Sequence, residues 1–473
     1  MEKLNGIIWS WFFLPCLLCC GLWLTARCGA LQFRRFGQAM RVAFRGESDR
    51  GKEGISPLQA ASTALASTLG TGNIIGTAQA IAMGGMGAVF WLWIAALLGM
   101  VIKYAEILLA LRFQIRDGRG NLAGGPMYYI EKGLGRRFRP LGIFYAFFAA
   151  LSVLSMGNMA QMNGAVASIT GAVSEFRPLD AGSEFRLRLF LGLALSASAG
   201  IILAGDAKRV GKVTTFLVPL MSGAFLLLTL LVIICHAEKL PGVLGGIVRE
   251  AFLPRSALGA AGGLGLREAL HWGVRRGAFS NEAGLGSAAI AHGSARAGLA
   301  PEHALWGIFE VFADTILLCT LTALAILCSG VPIPYGSAPG PELLRAAFAG
   351  VFGGKSAALF MAMSLFLFGF STVLGCSVYG LRCAEYLFGG KGGNVFRLLF
   401  PVCALLGSVM STGAVWAAAD TVNAIMALPN FIALFALSGL VGRETQTHFF
   451  GKKSTKPAEL PPAIDGRFQK MYT

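Results

Sequence analysis

Eleven stretches of this chain are apolar enough and long enough to cross a lipid bilayer as helices, and that pattern limits its fold more than any motif does. They lie near residues 7–27, 57–82, 88–112, 141–172, 189–204, 213–235, 265–294, 303–328, 357–381, 396–412 and 416–440. A hydrocarbon core of about 30 Å takes roughly 20 helical residues. No water at that depth satisfies peptide groups, so each stretch must bond to itself, and the pattern predicts an all-α polytopic membrane protein. The composition agrees, with 55% of the 473 residues hydrophobic and 14% charged, where soluble proteins carry about 25% charged residues. An ordinary soluble enzyme is excluded. The connecting segments are too short for a separate soluble domain, so residues 1–473 read as one transmembrane domain.

Lys and Arg outnumber Asp and Glu by 40 to 24. A nucleic-acid surface would gather that excess on one face among aromatic residues. Here it falls between the apolar stretches, so lipid headgroups and not nucleic acid are the expected contact. Counted from a start outside the cell, the inner connecting segments hold 27 of the 40 basic residues and the outer ones 10. Lys and Arg collect in cytoplasmic loops, which predicts an outer N-terminus and a cytoplasmic tail over 441–473. Only Lys3 precedes the first stretch, while Arg27, Arg34, Arg35, Arg41 and Arg45 follow it. That charge order marks a retained anchor and not a cleaved signal, and Arg27 beside Cys28 argues against lipidation there.

The ten cysteines sit almost entirely within apolar stretches and read as small apolar residues. No His-Glu-x-x-His pair and no Gly-x-Ser-x-Gly elbow occurs, so metal and serine hydrolysis lack their parts. The chain is expected to be no enzyme and to carry no organic cofactor.

Two stretches are interrupted. Ser67-Thr68-Leu69-Gly70-Thr71-Gly72-Asn73 and Gly277-Ala278-Phe279-Ser280-Asn281-Glu282-Ala283-Gly284-Leu285-Gly286 place glycines and polar residues at membrane depth. Glycine costs about 1 kcal/mol relative to alanine inside a helix. Close packing through small residues accounts for either cluster taken alone. Together they open two sets of five stretches, 57–235 and 265–440, with 7–27 left over as an extra N-terminal helix. An odd number of crossings per set turns the second set upside down, and paired breaks in inverted repeats point to a transporter's central site. A broken helix survives in a membrane only where protein, water or a ligand meets its free amides and carbonyls. Amides at a half-helix start suit a carboxylate, and carbonyls at a half-helix end suit a small cation such as Na⁺.

Several segments closely resemble the alanine or glycine:cation symporter family. They include Gly84-Gly85-Met86-Gly87-Ala88-Val89-Phe90-Trp91-Leu92-Trp93, Lys103-Tyr104-Ala105-Glu106, Gly124 to Gly133, Gly157-Asn158-Met159-Ala160-Gln161, Phe279 to Gly286 and Arg382-Cys383-Ala384-Glu385-Tyr386. The resemblance implies a leucine-transporter-type five-plus-five inverted repeat with one extra helix. It also implies Na⁺-driven uptake of alanine or glycine across the bacterial inner membrane, by a chain expected to act as a monomer. Carried over by motif, the backbone around Thr71 and Gly72 with the Asn73 side chain would receive the substrate carboxylate and the neighbouring cation. Gln161 would be a polar pocket residue, and Phe279, Ser280 and Asn281 the facing wall. Ser371 and Thr372 would direct hydroxyls at Na⁺, with carbonyls near Ala66 and Leu69 completing its shell. Plainer readings exist: an interhelical hydrogen bond for Gln161, packing for Phe279, and bonds from Ser371 and Thr372 back to their own helix.

Where family members commonly show Gly-Trp-x-Tyr-Tyr-Gly-Glu, this chain reads Gly375-Cys376-Ser377-Val378-Tyr379-Gly380-Leu381. Cys376 in the substrate wall leaves it larger and less aromatic, which bears on the choice among alanine, glycine and serine. Intramembrane ionisable residues are functional suspects; here they are Glu282, Glu310, Asp314 and Asp420. Glu282 is expected to cap free N–H groups, to pair with Arg275 or Arg276, or to act in coupling, and Lys103 with Glu106 to form a local ion pair. Rival readings are proton coupling through Glu282 on the same fold, and a channel or non-transporting sensor. The charge count predicts that a fluorescent protein fused after Thr473 glows, while alkaline phosphatase fused there stays inactive; the reverse result would overturn the orientation.

Overall fold

The computed structural model describes residues 8–45, 54–117, 120–252, 265–296, 298–410 and 412–451; residues 452–473 of the expected tail lie outside them. Helix α1 (Leu14–Arg27) follows a wide turn at Ile8–Phe13 and leads to amphipathic α2 (Phe36–Arg45). The first interrupted stretch becomes α3 (Pro57–Thr68) and α4 (Thr77–Gly84). α5 (Ala88–Arg112) runs to a small antiparallel hairpin, β1 (Ile115–Arg116) with β2 (Leu122–Ala123), and then α6 (Pro126–Gly133). α7 (Arg136–Phe176) contains a π-helical turn at Ser155–Ala160 and is followed by α8 (Ala181–Leu203), α9 (Asp206–Cys235) and α10 (Leu240–Glu250). The second interrupted stretch is α11 (Leu266–Asn281) and α12 (Ser287–His292). Last come α13 (Ala300–Ser329), α14 (Glu342–Phe352), α15 (Gly354–Val409) and α16 (Thr412–Phe450). Among the described residues, seven helical segments are long and apolar enough to cross a membrane: α5, α7, α8, α9, α13, α15 and Thr421–Phe450 of α16.

Local chemistry sets several boundaries. Ser56 and Gln59 form a reciprocal cap at the start of α3, Ser56 Oγ accepting from Gln59 N at 3.2 Å and Gln59 Oε1 from Ser56 N at 3.0 Å. Asp180 accepts from the amides of Gly182 and Ser183 and opens α8 earlier than its apolar stretch does. Two features differ from the sequence expectation. The connection expected over 382–397 is helical, and α15 bends within it at Gly389, whose φ of 63° and ψ of −154° no helix contains. α16 continues past 440 because its last turns keep finding partners: Thr445 Oγ1 lies 3.0 Å from Tyr104 OH on α5, and the Phe449 carbonyl accepts from Arg35.

α5 is central and α8 peripheral, with 83% and 22% of their most apolar windows buried. Large side chains on α8 and α9, such as Phe190, Ile201, Phe216 and Leu227, face outward, a surface stable in hydrocarbon and aggregation-prone in water. α1 lies against α5 and α16: a Cβ added at Gly21 would meet Leu98 Cβ at 2.6 Å, and Trp23 Nε1 donates to Ser438 Oγ at 2.9 Å.

The approach that fixes the central site is α15 across α3. A Cβ added at Gly375 would sit 2.6 Å from Ser67 N and 2.7 Å from Thr63 O, both rigid backbone. Gly375→Val should therefore lower the thermal stability of the detergent-solubilised protein by about 2 kcal/mol or more through overpacking, while Gly350→Ala, with open space around it, should not. Equal melting temperatures for both variants would contradict this crossing.

Candidate functional site

α3 stops at Thr68 because Leu69, with ψ of 75°, leaves the helical region, and the chain regains its axis through a wide turn at Gly72–Gly76. The amides freed there are met by neutral groups. Gly70 N donates to Asn73 Oδ1 at 3.1 Å, and Thr71 donates through N and Oγ1 to Gln161 Oε1 at 3.3 and 2.9 Å. α11 ends at Glu282, a non-glycine residue in the left-handed region with φ of 56°. Gly284 and Gly286, at φ of 89° and 73°, carry the chain to α12 in conformations that glycine alone adopts freely. Both interruptions expected from sequence are present.

Between the two breaks lies a small cavity lined by both broken helices together with α7, α15 and α16. Of the residues expected in the substrate site, Gly72, Gln161, Phe279, Ser280 and Cys376 line it. Thr71 stands behind Gln161, to which it is bonded. Asn73 and Asn281 do not reach the cavity wall. Asn281 Nδ2 donates to Thr315 Oγ1 at 3.2 Å, and its Oδ1 accepts from Ala283 N at 3.0 Å. Asn73 turns the other way, to Asp314.

Asp314 sits in the π-helical turn Phe312–Cys319 of α13, fully buried. Its Oδ1 accepts from Asn73 Nδ2 at 2.7 Å, and its Oδ2 accepts from Ser280 Oγ at 2.8 Å and Thr315 Oγ1 at 2.7 Å. One carboxylate thus ties the first broken helix to the second. In the sequence Asp314 is one of several intramembrane carboxylates with nothing to mark its role; Asn73 and Ser280 are about 240 and 34 residues away, distances no local spacing reveals. The side chain of Asp420 lies outside the described residues.

The expected cation ligands come together in part. Thr372 lines the cavity, and its Oγ1 donates to Ala66 O at 3.1 Å and to Phe368 O at 3.0 Å. A Cβ at Gly70 would touch that hydroxyl at 2.7 Å, so α15 closes on the break itself. Ser371 bonds back to Phe368 O at 2.9 Å, the plainer reading. Leu69 N closes the last turn of α3 on Leu65 O at 2.8 Å. Other lining residues that sequence did not single out are Ser67 with Tyr379, 2.7 Å apart, and Ser152, which donates to Asn423 at 2.9 Å.

Two electrostatic expectations are corrected. Lys103 and Glu106 are both fully buried, and their recorded partners lie across the bundle. Lys103 Nζ is 3.3 Å from Glu310 Oε2 and donates to Asn281 O at 3.0 Å, while Glu106 Oε1 accepts from the amides of Gly284 and Gly286 at 3.0 and 3.1 Å. The capping assigned to Glu282 is therefore performed by Glu106. Glu282 lines the cavity and accepts from Ser287 Oγ. Arg275 lies over the rings of Trp9 and Trp272, and Arg276 over those of Trp272 and Phe279.

A family model described as the sodium:alanine symporter family matches residues 1–460. The chain belongs to that family. Among its relatives, the sodium/alanine symporter AgcS of Methanococcus maripaludis is 39% identical over 94% of this chain and 96% of its own. A probable sodium/glutamine symporter, GlnT of Bacillus subtilis, is 35% identical over 96% and 91%. The structure of MhsT in complex with L-phenylalanine matches with a TM-score of 0.56 over 89% of this chain and 96% of that one, at 17% identity, so that likeness is one of fold. This sodium:alanine symporter family member is accordingly a multi-pass membrane transporter and not an enzyme.

Within it, Asp314→Ala would remove the acceptor of the Ser280 and Thr315 hydroxyls and leave Asn73 Nδ2 only the backbone carbonyl of residue 314 among these oxygens. Thermal unfolding in detergent should show a loss of about 3 kcal/mol or more; wild-type stability would remove Asp314 from its bridging role.

Proposed function

We propose that the protein couples inward movement of Na⁺ to uptake of a small neutral amino acid, alanine or glycine, by alternating access. The observation that carries this reading is the cavity at the first break, where the non-helical peptide groups around Gly70–Gly72, held by neutral partners, meet the Gln161 amide and the Thr372 hydroxyl. Amides of Gly70 and Thr71 suit a carboxylate, and the Ala66 carbonyl with Thr372 Oγ1 offers oxygen to a hard monovalent cation. The reading includes eleven crossings arranged as a five-plus-five inverted repeat after an extra first helix. Its start lies outside, its end in the cytoplasm, and it works as a monomer in a bacterial inner membrane.

Specificity would be set along the wall made by Gly157, Cys376 and Phe279. A Cβ at Gly157 would meet Cys376 Sγ at 2.8 Å, so these two small residues fill the space between α7 and α15 together. The relatives include proteins named for alanine and for glutamine, and Cys376 is the position at this wall where the chain departs from the family-typical Trp. A second reading, proton coupling, is favoured by Glu282, the one carboxylate among the described residues that line the cavity.

Radiolabelled uptake into proteoliposomes tests both. A Na⁺ gradient should drive accumulation of alanine or glycine, and Thr372→Ala should raise the half-saturating Na⁺ concentration about tenfold, the loss of roughly one charge-assisted contact. Uptake indifferent to Na⁺ but driven by a pH gradient, and abolished in Glu282→Gln, would replace Na⁺ with the proton.

A further inference from the structure

The peptide groups freed at the second break bond to the protein itself. Lys103 Nζ donates to the carbonyl of Asn281, the last residue of α11, at 3.0 Å. Glu106 Oε1 accepts from Gly284 N at 3.0 Å and Gly286 N at 3.1 Å. Tyr145 OH donates to Leu285 O at 2.9 Å, and Asn430 Nδ2 donates to Gly284 O at 2.9 Å and to Glu106 Oε1 at 2.7 Å. Lys103 and Glu106 stand about one turn apart on α5, so a single rigid helix offers both an ammonium and a carboxylate to the break. The ammonium is held in turn by Glu310, and Glu310 Oε1 lies 2.6 Å from His292 Nε2 on α12.

The first break is met differently. Gly70 N and Thr71 N are satisfied by the neutral amide oxygens of Asn73 and Gln161, and Ala66 O by the Thr372 hydroxyl. A neutral acceptor can be exchanged for a ligand carboxylate with no charge left behind. Displacing Glu106 from Gly284 and Gly286 would leave a buried anion two donors short, with Asn430 still bonded to it, and displacing Lys103 from Asn281 would leave its ammonium to Glu310, a loss of charge-assisted bonds that a neutral acceptor does not incur.

We infer that Lys103 and Glu106 are positioning residues that fill the second break with two built-in charges of opposite sign, so that substrate carboxylate and coupling cation are taken by the peptide groups of the first break alone. The second broken helix then contributes side chains to the cavity, Phe279, Ser280 and Glu282, from a backbone that ligands do not rearrange. α5, α11 and α12 move as one piece. This rests on the cavity's being the ligand site, and it assigns the two breaks unequal roles within that site.

Hydrogen–deuterium exchange of the full chain in lipid nanodiscs tests it, with and without NaCl plus alanine. In wild type, amides 69–73 should exchange more slowly once both ligands are present, while amides 283–286 should be protected already and stay unchanged. In ligand-free E106Q, amides 283–286 should exchange about tenfold faster or more, the change expected when a charge-assisted bond becomes a neutral one. Ligand-induced protection of 283–286 in wild type would overturn the inference, as would unaltered exchange in E106Q. If E106Q does not fold, the two wild-type arms still decide. If alanine and Na⁺ alter neither segment while E106Q releases 283–286, the anchoring by Glu106 stands and the alanine reading of the cavity fails.

Discussion

A peptide group at the middle of a membrane has no water to turn to, and the arrangement of this protein follows from how two interrupted helices answer that need. Each interruption frees amides and carbonyls at a depth where leaving them bare costs several kcal/mol apiece. The first is closed by neutral side chains, Asn73, Gln161 and Thr372. The second is closed by charges on α5. Asp314 then holds the two interruptions together through Asn73 and Ser280, and the cavity is the space this clamp leaves open.

The difference between the breaks gives a physical basis for coupling in the proposed cycle. A site whose resting partners are uncharged can trade them for a ligand, so occupancy by an anion and a cation can favour each other there, as linkage requires. A site whose resting partners are buried ions is better suited to transmit position. α5 is the most deeply buried of the long apolar helices, and it carries Lys103 and Glu106 on consecutive turns. It is thus placed to keep the second broken helix in register while the first responds to its ligands.

Much of the site was legible because glycines inside an apolar run are rarely neutral in energy. The clusters at Gly70–Gly72 and Gly284–Gly286 marked both breaks, and Gln161, Phe279, Ser280 and Cys376 do line the cavity. What could not be read was direction. Asn73 sits at the break in sequence, yet its side chain points to Asp314 and not into the cavity. Lys103 and Glu106, three residues apart, read as partners of each other until the fold brings Asn281, Gly284 and Glu310 beside them. Glu282 lies next to the free amides in sequence, but a left-handed backbone turns its side chain toward Ser287 and leaves the amides to Glu106.

Hydrophobic length, the distribution of Lys and Arg and the placement of glycine are properties of the chain taken a few residues at a time. They were enough to determine a polytopic helical membrane protein with two broken helices. Which charge answers which peptide group depends on side chains that meet from elements far apart in sequence. Only the packing of α5 and α13 against the two broken helices decided that Asp314 is a bridge, that Glu106 is a cap and that the two breaks are not equivalent.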